Sequence, residues 1–217
     1  LGHYRISEKL GEGGMGEVYL ALDTELDRRV ALKVLPQAVS NSDESLRRFR
    51  SEAKTLASLS HPNIVTIHSV ESVDGVQFLT MELLEGKDLR DYIPRGGLSV
   101  PELFKIGIPL ADALAAAHES NVIHRDLKPG NVIVTNKGQV KVVDFGLAKA
   151  IQDADQTVDP RAPTEPLTEE GRILGTVPYM APEQLLGDEA DQRSDIFSLG
   201  ILLYEAAKIG RASCRDR

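Results

Sequence analysis

The spacing of hydrophobic residues divides the chain into a first part with strand-like alternation and a second part with helical periodicity. Short apolar runs at five places predict β-strands, at residues 4–10, 18–20, 29–35, about 65–71 and about 76–82. Between the third and fourth strands, hydrophobic residues recur at steps of three and four from Leu46 to Leu59, which predicts one helix over about 43–58. Beyond residue 88 the period becomes 3.6, which predicts helices over 99–118 and 195–207.

A hairpin with polar residues at its open end follows the first of these later helices. Two apolar runs are joined by a turn at Asn136-Lys137-Gly138, which predicts a β-hairpin preceded by a polar loop. Asn131 stands at the start of the first run, and Asp144 follows the second. Because the open ends of a hairpin lie side by side, these two residues are expected to share a hard divalent cation through oxygen ligands.

The polar loop before this hairpin carries the groups that phosphoryl transfer requires. Asp126 lies nearer solvent and is free to accept a proton from a hydroxyl, while Lys128 offsets negative charge. Transfer of a phosphoryl group depends mostly on positioning and electrostatic stabilisation, which such a set of side chains provides.

Three glycines, Gly11, Gly13 and Gly16, lie between the first two predicted strands. Glycines lack Cβ and let backbone N–H groups approach phosphates closely. In a dinucleotide-binding fold such a turn opens a helix, whereas a strand containing Val18 follows here. The pattern therefore favours a phosphate-binding turn within a β-sheet.

The third strand places a lysine where a nucleotide could contact it. Alternate side chains of a strand share a face, so Ala31 and Lys33 point the same way and suit an adenine ring and its phosphates. Glu52 falls on the buried stripe of the predicted helix, where an unpaired charge costs several kcal/mol. Lys33 is its candidate partner.

Composition excludes several classes of protein. A net charge of −8 argues against a nucleic-acid-binding face, which would show clustered Lys and Arg. The single cysteine, Cys214, rules out a disulfide framework and indicates a reducing compartment. No apolar run approaches the roughly 18 residues that span a bilayer, and no signal-peptide pattern is present. Because the chain starts at Leu1, the natural N-terminus is expected to be missing.

Together these segments resemble bacterial-type, eukaryotic-like protein Ser/Thr kinases. The resemblance is carried by His124-Arg125-Asp126-Leu-Lys128-Pro-Gly-Asn131, Asp144-Phe145-Gly146 and the Gly175–Glu183 segment. It implies an α+β, bilobal protein-kinase-like fold, with a small antiparallel β-sheet N lobe containing one main helix and a mainly helical, incomplete C lobe. The N lobe would cover 1–84 and the C lobe 85–207, with an activation loop at about 144–183.

The resemblance also implies the roles of individual residues toward ATP and Mg²⁺ or Mn²⁺. Asp126, Lys128, Lys33 and Glu52 would be catalytic, with Lys33 paired to Glu52, and Asn131 and Asp144 would bind the metal. Met81 would be the gatekeeper, and Asp88 would reach the ribose. The expected nucleotide contacts are Gly11, Gly13, Gly16, Val18, Ala31, Lys33, Met81, Glu82, Leu84, Asp88 and Ile133.

The implied activity is transfer of the γ-phosphate of ATP to Ser or Thr hydroxyls of proteins. Regulation would act through phosphorylation of the polar stretch 153–171, at Thr168 ahead of Thr164, with Arg125 binding the phosphate and self-association supporting autophosphorylation. The protein would be cytoplasmic, either free or as the cytoplasmic domain of a membrane-anchored receptor. Two alternatives remain, a pseudokinase scaffold without turnover and a small-molecule phosphotransferase of the same fold.

The resemblance ends near Ala207. The basic tail 208–217 is unlike the family, and residues 209–215 can be back-translated into a common sequencing-adapter read. We therefore hypothesise that the tail is an assembly artefact and that the C lobe is cut short. One side of the apolar helix at 196–207 is then expected to face water, and the fragment to be marginally stable or aggregation-prone. A fragment that is inactive because the C lobe is incomplete is a further alternative.

Overall fold

A computed structural model describes residues 1–13, 16–36, 43–145 and 177–207. Two short 3-10 helices, Pro129–Asn131 and Val177–Tyr179, accompany the strands and helices. In chain order these are β1 (Tyr4–Gly13), β2 (Gly16–Asp23), β3 (Arg28–Val34), α1 (Asp43–Ser58), β4 (Ile67–Val73), β5 (Val76–Glu82), β6 (Gly86–Asp88), α2 (Leu89–Tyr92), α3 (Val100–Glu119), β7 (Val132–Thr135), β8 (Val140–Val142), α4 (Pro182–Leu185) and α5 (Gln192–Ala206). Thr164 and Thr168, Gly146, Gly175, Thr176 and the tail 208–217 lie outside the described residues.

The first five strands form one antiparallel sheet in the order β1-β2-β3-β5-β4, with α1 packed against β4. The turn between β4 and β5 contains Asp74 and Gly75, whose φ values of 51° and 81° suit a tight two-residue hairpin. β4 starts two residues later than the pattern predicts. The reason is that Ile64 and Val65 pair with Val142 of the second sheet instead, through a bridge and a 2.9 Å N–H···O bond.

The second sheet has the order β6-β7-β8 and lies below the first. The predicted hairpin over β7 and β8 is confirmed, with Gly138 at φ 77° in its turn. β6 was not predicted, because its three residues carry too little hydrophobic pattern. A Cβ at Gly86 would lie 2.2 Å from the carbonyl oxygen of Val134, so this close pairing of β6 with β7 requires glycine.

A capping box begins α3, in which the backbone N–H of Ser99 donates to Glu102 Oε2 at 2.9 Å. α3 continues through Pro109 and packs against α5. Within the part of the chain that the structure describes, no helix is long and apolar enough to cross a membrane. The two sheets and the helices therefore form the expected α+β, bilobal arrangement.

One apolar core runs through both lobes. Residues of α1, β5, α3, the second sheet and α5 contribute to it, and Phe145 lies within it with 2% exposure. A smaller cluster covers the other face of the five-stranded sheet, formed by Tyr4, Ala21, Val30, Leu32 and Phe78. Buried apolar side chains therefore lie on both faces of the central strand β3, with Ala31 in the larger core and Val30 and Leu32 in the smaller cluster.

Large apolar side chains are exposed on α3 and α5. Phe104 and Ile108 are 59% and 64% exposed, and Ile196, Phe197 and Tyr204 are 60%, 42% and 54% exposed. This agrees with the expectation that one side of the last helix faces water. Exposed large apolar side chains on two packed helices favour association.

Replacing Ile108 by Glu together with Ile196 by Lys is expected to reduce self-association. The free energy of unfolding should change by no more than about 0.5 kcal/mol, because both side chains are exposed. Light scattering and urea unfolding measure the two quantities. The control Leu110→Ala removes a fully buried side chain and should cost about 2–5 kcal/mol. Unchanged association in the double variant would contradict the prediction.

Candidate active site

The catalytic loop is anchored by the buried carboxylate of Asp195 in α5. Its Oδ2 accepts the backbone N–H of His124 and its Oδ1 that of Arg125, both at 2.8 Å. His118 Nε2 also lies 2.8 Å from Oδ2, a contact that the sequence did not predict because His118 fell on the apolar stripe of its helix. The carboxylate of Asp195 thus ties the start of the catalytic loop to α5.

Two residues of the site have left-handed backbone conformations. Arg125 has φ 65° and Asp144 has φ 64°, values that L-residues adopt at an energetic cost. The backbone of Arg125 is held by its N–H bond to Asp195. Next to Asp144, the N–H of Val143 donates to the carbonyl of Asn131 at 2.9 Å. The surrounding hydrogen bonds therefore fix the loop in a geometry that it would not adopt alone.

Asp126 occupies the centre of the site and is 7% exposed. Its Oδ2 accepts from Lys128 Nζ at 2.7 Å and from Asn131 Nδ2 at 3.2 Å. Its Oδ1 is buried and has no hydrogen-bond partner among the described residues. A buried carboxylate oxygen of this kind is suited to accept a hydrogen bond from a substrate hydroxyl.

His124 supports the loop as a neutral imidazole. Its Nδ1 accepts the N–H of Asp126 at 3.3 Å, so Nε2 carries the proton and donates to the Val143 carbonyl at 3.0 Å. The ring also packs on Phe145, with centroids 4.7 Å apart. Complete burial lowers the pKa of His124, since a charged ring would lose its hydration.

This lowered pKa predicts acid sensitivity of the fold. Below about pH 6.5 the histidine of the unfolded chain binds a proton that the native ring does not. The free energy of unfolding should therefore decrease as the pH is lowered below that value. The decline attributable to His124 is at most about 1.4 kcal/mol per pH unit and is absent above that range. Urea unfolding at several pH values should show a shallower decline for His124→Gln than for the unmodified protein, while the control Leu186→Gln, at an exposed side chain that does not titrate, keeps the original slope. His68, whose pKa burial also lowers, contributes with the same sign in every variant. Equal slopes for all three proteins would contradict this role of His124.

The buried ammonium of Lys33 crosses from the first sheet to Asp144. Lys33 Nζ donates to Asp144 Oδ1 at 2.7 Å, and the lysine is 2% exposed. The predicted pair of Lys33 with Glu52 is absent from the described part of the chain. Glu52 Oε1 instead lies 3.5 Å from Arg125 Nη1. The carboxylates of Glu52 and Asp144 were both possible partners of Lys33. The position of α1 leaves Asp144, in the second lobe, as the carboxylate that bonds the lysine.

The open end of the hairpin joins Asn131 to Val143, the residue before Asp144, through a 2.9 Å bond from the Val143 N–H to the Asn131 carbonyl. The amide nitrogen of Asn131 donates to the Asp126 carbonyl at 2.8 Å, which turns its amide oxygen away from Asp126. Asp144 uses Oδ1 for Lys33, which leaves Oδ2 for a ligand. Amide and carboxylate oxygens are the ligands that Mg²⁺ takes in proteins, so the donor set fits this ion.

Four predicted nucleotide contacts share one face of the first sheet. Val18 pairs with Lys33 across β2 and β3, and Ala31 pairs with Met81 across β3 and β5. Because Ala31 and Lys33 are two residues apart on one strand, all four side chains point toward the second lobe. Gly16, at φ 107°, lies at the start of this face, where a Cβ would come 2.0 Å from the carbonyl oxygen of Val34.

The remaining predicted contacts lie where the two sheets meet. Leu84 is partly buried between β5 and β6, and Ile133 pairs with Asp88 across β6 and β7. Asp88 is engaged in this structure, since its Oδ1 accepts the N–H of Asp91 at 3.1 Å and caps α2. Gly11 and Gly13 lie in β1, opposite β2. The proposed roles of these residues in binding a nucleotide stay predictions.

Two further polar contacts brace the site and were not predicted. Gln184 Nε2 donates to the carbonyl of Arg125 at 2.8 Å. Lys141 is buried in β8 and donates to Glu82 Oε1 at 2.5 Å and to the Ile64 carbonyl at 3.2 Å. A lysine inside an apolar run was the available signal for the second contact, whereas nothing in the sequence indicated the first.

Comparison with known proteins identifies relatives along nearly the whole chain. A model of the protein kinase domain matches residues 4–213. The serine/threonine-protein kinase PknA of Mycobacterium tuberculosis is 41% identical over 221 residues, which cover 99% of this chain and 49% of PknA. The serine/threonine-protein kinase PrkC of Bacillus subtilis is 40% identical over 94% of this chain and 30% of PrkC. The chain thus spans about half or less of the length of these curated relatives.

Solved structures agree with the sequence comparison. A crystal structure of the Mycobacterium tuberculosis PknI kinase domain matches with a TM-score of 0.72 at 30% identity. The match covers 94% of this chain and 74% of that structure.

Proposed function

This chain belongs to the protein kinase family, among the bacterial Ser/Thr kinases, and on that premise we propose that it transfers the γ-phosphate of ATP to Ser or Thr hydroxyls of protein substrates. One observation supports this most directly. A lysine of the first lobe reaches Asp144 of the second at 2.7 Å, beside a carboxylate with an unsatisfied buried oxygen. This is the arrangement that holds phosphates and a hydroxyl against each other.

The proposed mechanism assigns each step to a side chain. Asp126 Oδ1 orients the substrate hydroxyl and accepts its proton, while Lys128, 2.7 Å from the other oxygen, offsets charge on the phosphoryl group. Lys33 binds the remaining phosphates from the opposite lobe. Asn131 and Asp144 would hold Mg²⁺ or Mn²⁺, and when bound this ion would supply positive charge that offsets the charge of the phosphates.

The nucleotide would lie against the inner face of the first sheet. Val18, Ala31 and Met81 present apolar surface there, which suits an adenine ring. Asp88 would reach the ribose after exchanging part of its present contacts. The chain positions ATP chiefly by shape and by two lysines, which fits a reaction governed by positioning.

Regulation is proposed to act through Arg125. Its guanidinium now lies 3.5 Å from Glu52 of α1. A phosphate on Thr168, or failing that on Thr164, would compete for this cation and release Glu52 toward Lys33. Transfer between two copies of the chain would supply such a phosphate.

Labelled ATP tests the function against its two rivals. The purified protein is incubated with Mg²⁺ and [γ-³²P]ATP, together with Ser, Thr and Tyr peptides, sugars or small alcohols. Label in Ser and Thr peptides alone supports the proposal. Nucleotide binding without any transfer would favour a pseudokinase, and label only in small alcohols would favour a small-molecule phosphotransferase.

A further inference from the structure

Arg90 lies beside the catalytic loop, although the proposed phosphotransfer steps make no use of it. It is the second residue of α2, and its side chain is 64% exposed. Nε and Nη2 donate to Asp88 Oδ2 at 3.2 and 2.6 Å. These are its hydrogen bonds within the described residues, so further guanidinium N–H groups are available to a ligand.

The guanidinium packs against the loop at Gly130. A Cβ at Gly130 would lie 3.3 Å from both Cζ and Nη2 of Arg90. Gly130 belongs to the 3-10 turn between Lys128 and Asn131, which both bond Asp126. Because residue 130 is glycine, the Arg90 guanidinium can pack directly against the backbone of the catalytic loop.

A third element adjoins the same cation. The pKa of Arg90 is raised mainly by its hydrogen bond to Asp88, and Asp91 and Tyr179 add smaller electrostatic contributions. Tyr179 ends the 3-10 helix Val177–Tyr179, in the segment that resembles the peptide groove of kinases. Arg90 thus packs on the catalytic loop at Gly130, and Tyr179 contributes to the electrostatic field at the same guanidinium.

We propose that Arg90 selects protein substrates that carry an acidic residue close to the phosphorylated Ser or Thr. The inference rests on the proposed function and names the substrate class of that site. A peptide whose hydroxyl is bonded to Asp126 must pass Gly130, which brings a neighbouring carboxylate within reach of the guanidinium. Asp88 is the carboxylate that competes, and a ribose bound to Asp88 would remove part of this competition.

A series of Thr peptides with one Glu moved along a neutral sequence tests the preference. The measured quantity is the ratio of kcat/KM for the best acidic peptide to kcat/KM for the neutral one within each protein, so a general loss of activity cancels. The unmodified protein should show a ratio of about two to five, the range expected of one partly exposed ion pair. The ratio should fall toward one as salt screens the charges.

Variants of Arg90 separate charge from structure. Arg90→Ala should lower the ratio to about one, Arg90→Glu should reverse it in favour of a Lys-containing peptide, and Arg90→Lys should retain part of it. In Gly130→Glu a carboxylate adjoins the guanidinium, and the added side chain meets only the flexible end of Arg90, so the preference should also be lost. Arg95→Ala changes an exposed arginine in the turn after α2 and should leave the ratio unchanged.

The outcome for Arg90 is distinguishable from failure of the proposed function. Anisotropy of the same labelled peptides, with a non-hydrolysable ATP analogue present, gives an affinity ratio that needs no turnover. If no peptide is phosphorylated, the proposed function fails, and the affinity ratio alone decides the role of Arg90. Equal ratios in the unmodified protein, Arg90→Ala and Arg90→Glu would overturn the inference while transfer to peptides continued.

Discussion

Replacing Asp126 by Asn is expected to lower the rate of phosphate transfer by about 10²- to 10⁴-fold, the usual contribution of a general base. The two side chains have nearly the same size, so the loop should keep its shape. An amide cannot accept the substrate proton that Oδ1 would take, and it does not neutralise Lys128 at 2.7 Å. Incorporation of label from [γ-³²P]ATP into a Thr peptide measures the effect.

Binding of ATP provides the internal comparison for this variant. Its affinity should change by less than about threefold, because the proposed nucleotide face belongs to the first sheet rather than to Asp126. Asp112→Asn is a matched control, since Asp112 is a 68% exposed carboxylate on α3. A transfer rate within twofold of the unmodified protein would show that Asp126 is not the base.

Replacing Asp195 by Asn should destabilise the fold and also slow transfer. Three N–H groups converge on this carboxylate at 2.8 Å, and an amide offers only one oxygen to them. Breaking a buried charged network costs about 3–5 kcal/mol, which urea unfolding would show. The left-handed Arg125 would lose its anchor, and misplacement of the loop by about 1 Å would lower the rate about 10²-fold.

The N-cap of the same helix offers a control for this second effect. The side chain of Asp191 accepts the N–H of Arg193 at 2.8 Å. Asp191→Ala should cost about 1 kcal/mol of stability and leave the transfer rate of the folded protein unchanged. If Asp195→Asn behaved like Asp191→Ala, the carboxylate of Asp195 would only stabilise α5 and would not position the loop.

Most elements could be predicted from local sequence because their signals are local. Hydrophobic residues at steps of three and four place α1 and α3, and the Asn136–Gly138 turn places the β7–β8 hairpin. β6 was missed because three residues carry too little pattern, and its pairing depends on the close approach at Gly86.

The sequence by itself determined the chemistry of the site. A polar loop, a hairpin and an acidic residue after its second strand lie close in the chain, so Asp126, Asn131 and Asp144 could be expected near one another from local sequence, while Asp195 fixes the loop that carries the first of them. The residue types then left few reactions that such a group could perform, and family membership agrees with that interpretation.

Only the tertiary structure decided which charges pair across the two lobes. Lys33 meets Asp144 and Glu52 meets Arg125, although the sequence offered Lys33 and Glu52 to each other. Several oppositely charged partners are nearly equivalent in local sequence, and an ion pair forms only where packing brings its atoms within about 4 Å. The positions of α1 and α5 set those distances. Both helices are positioned by the apolar side chains that they bury in the core, not by the charges themselves.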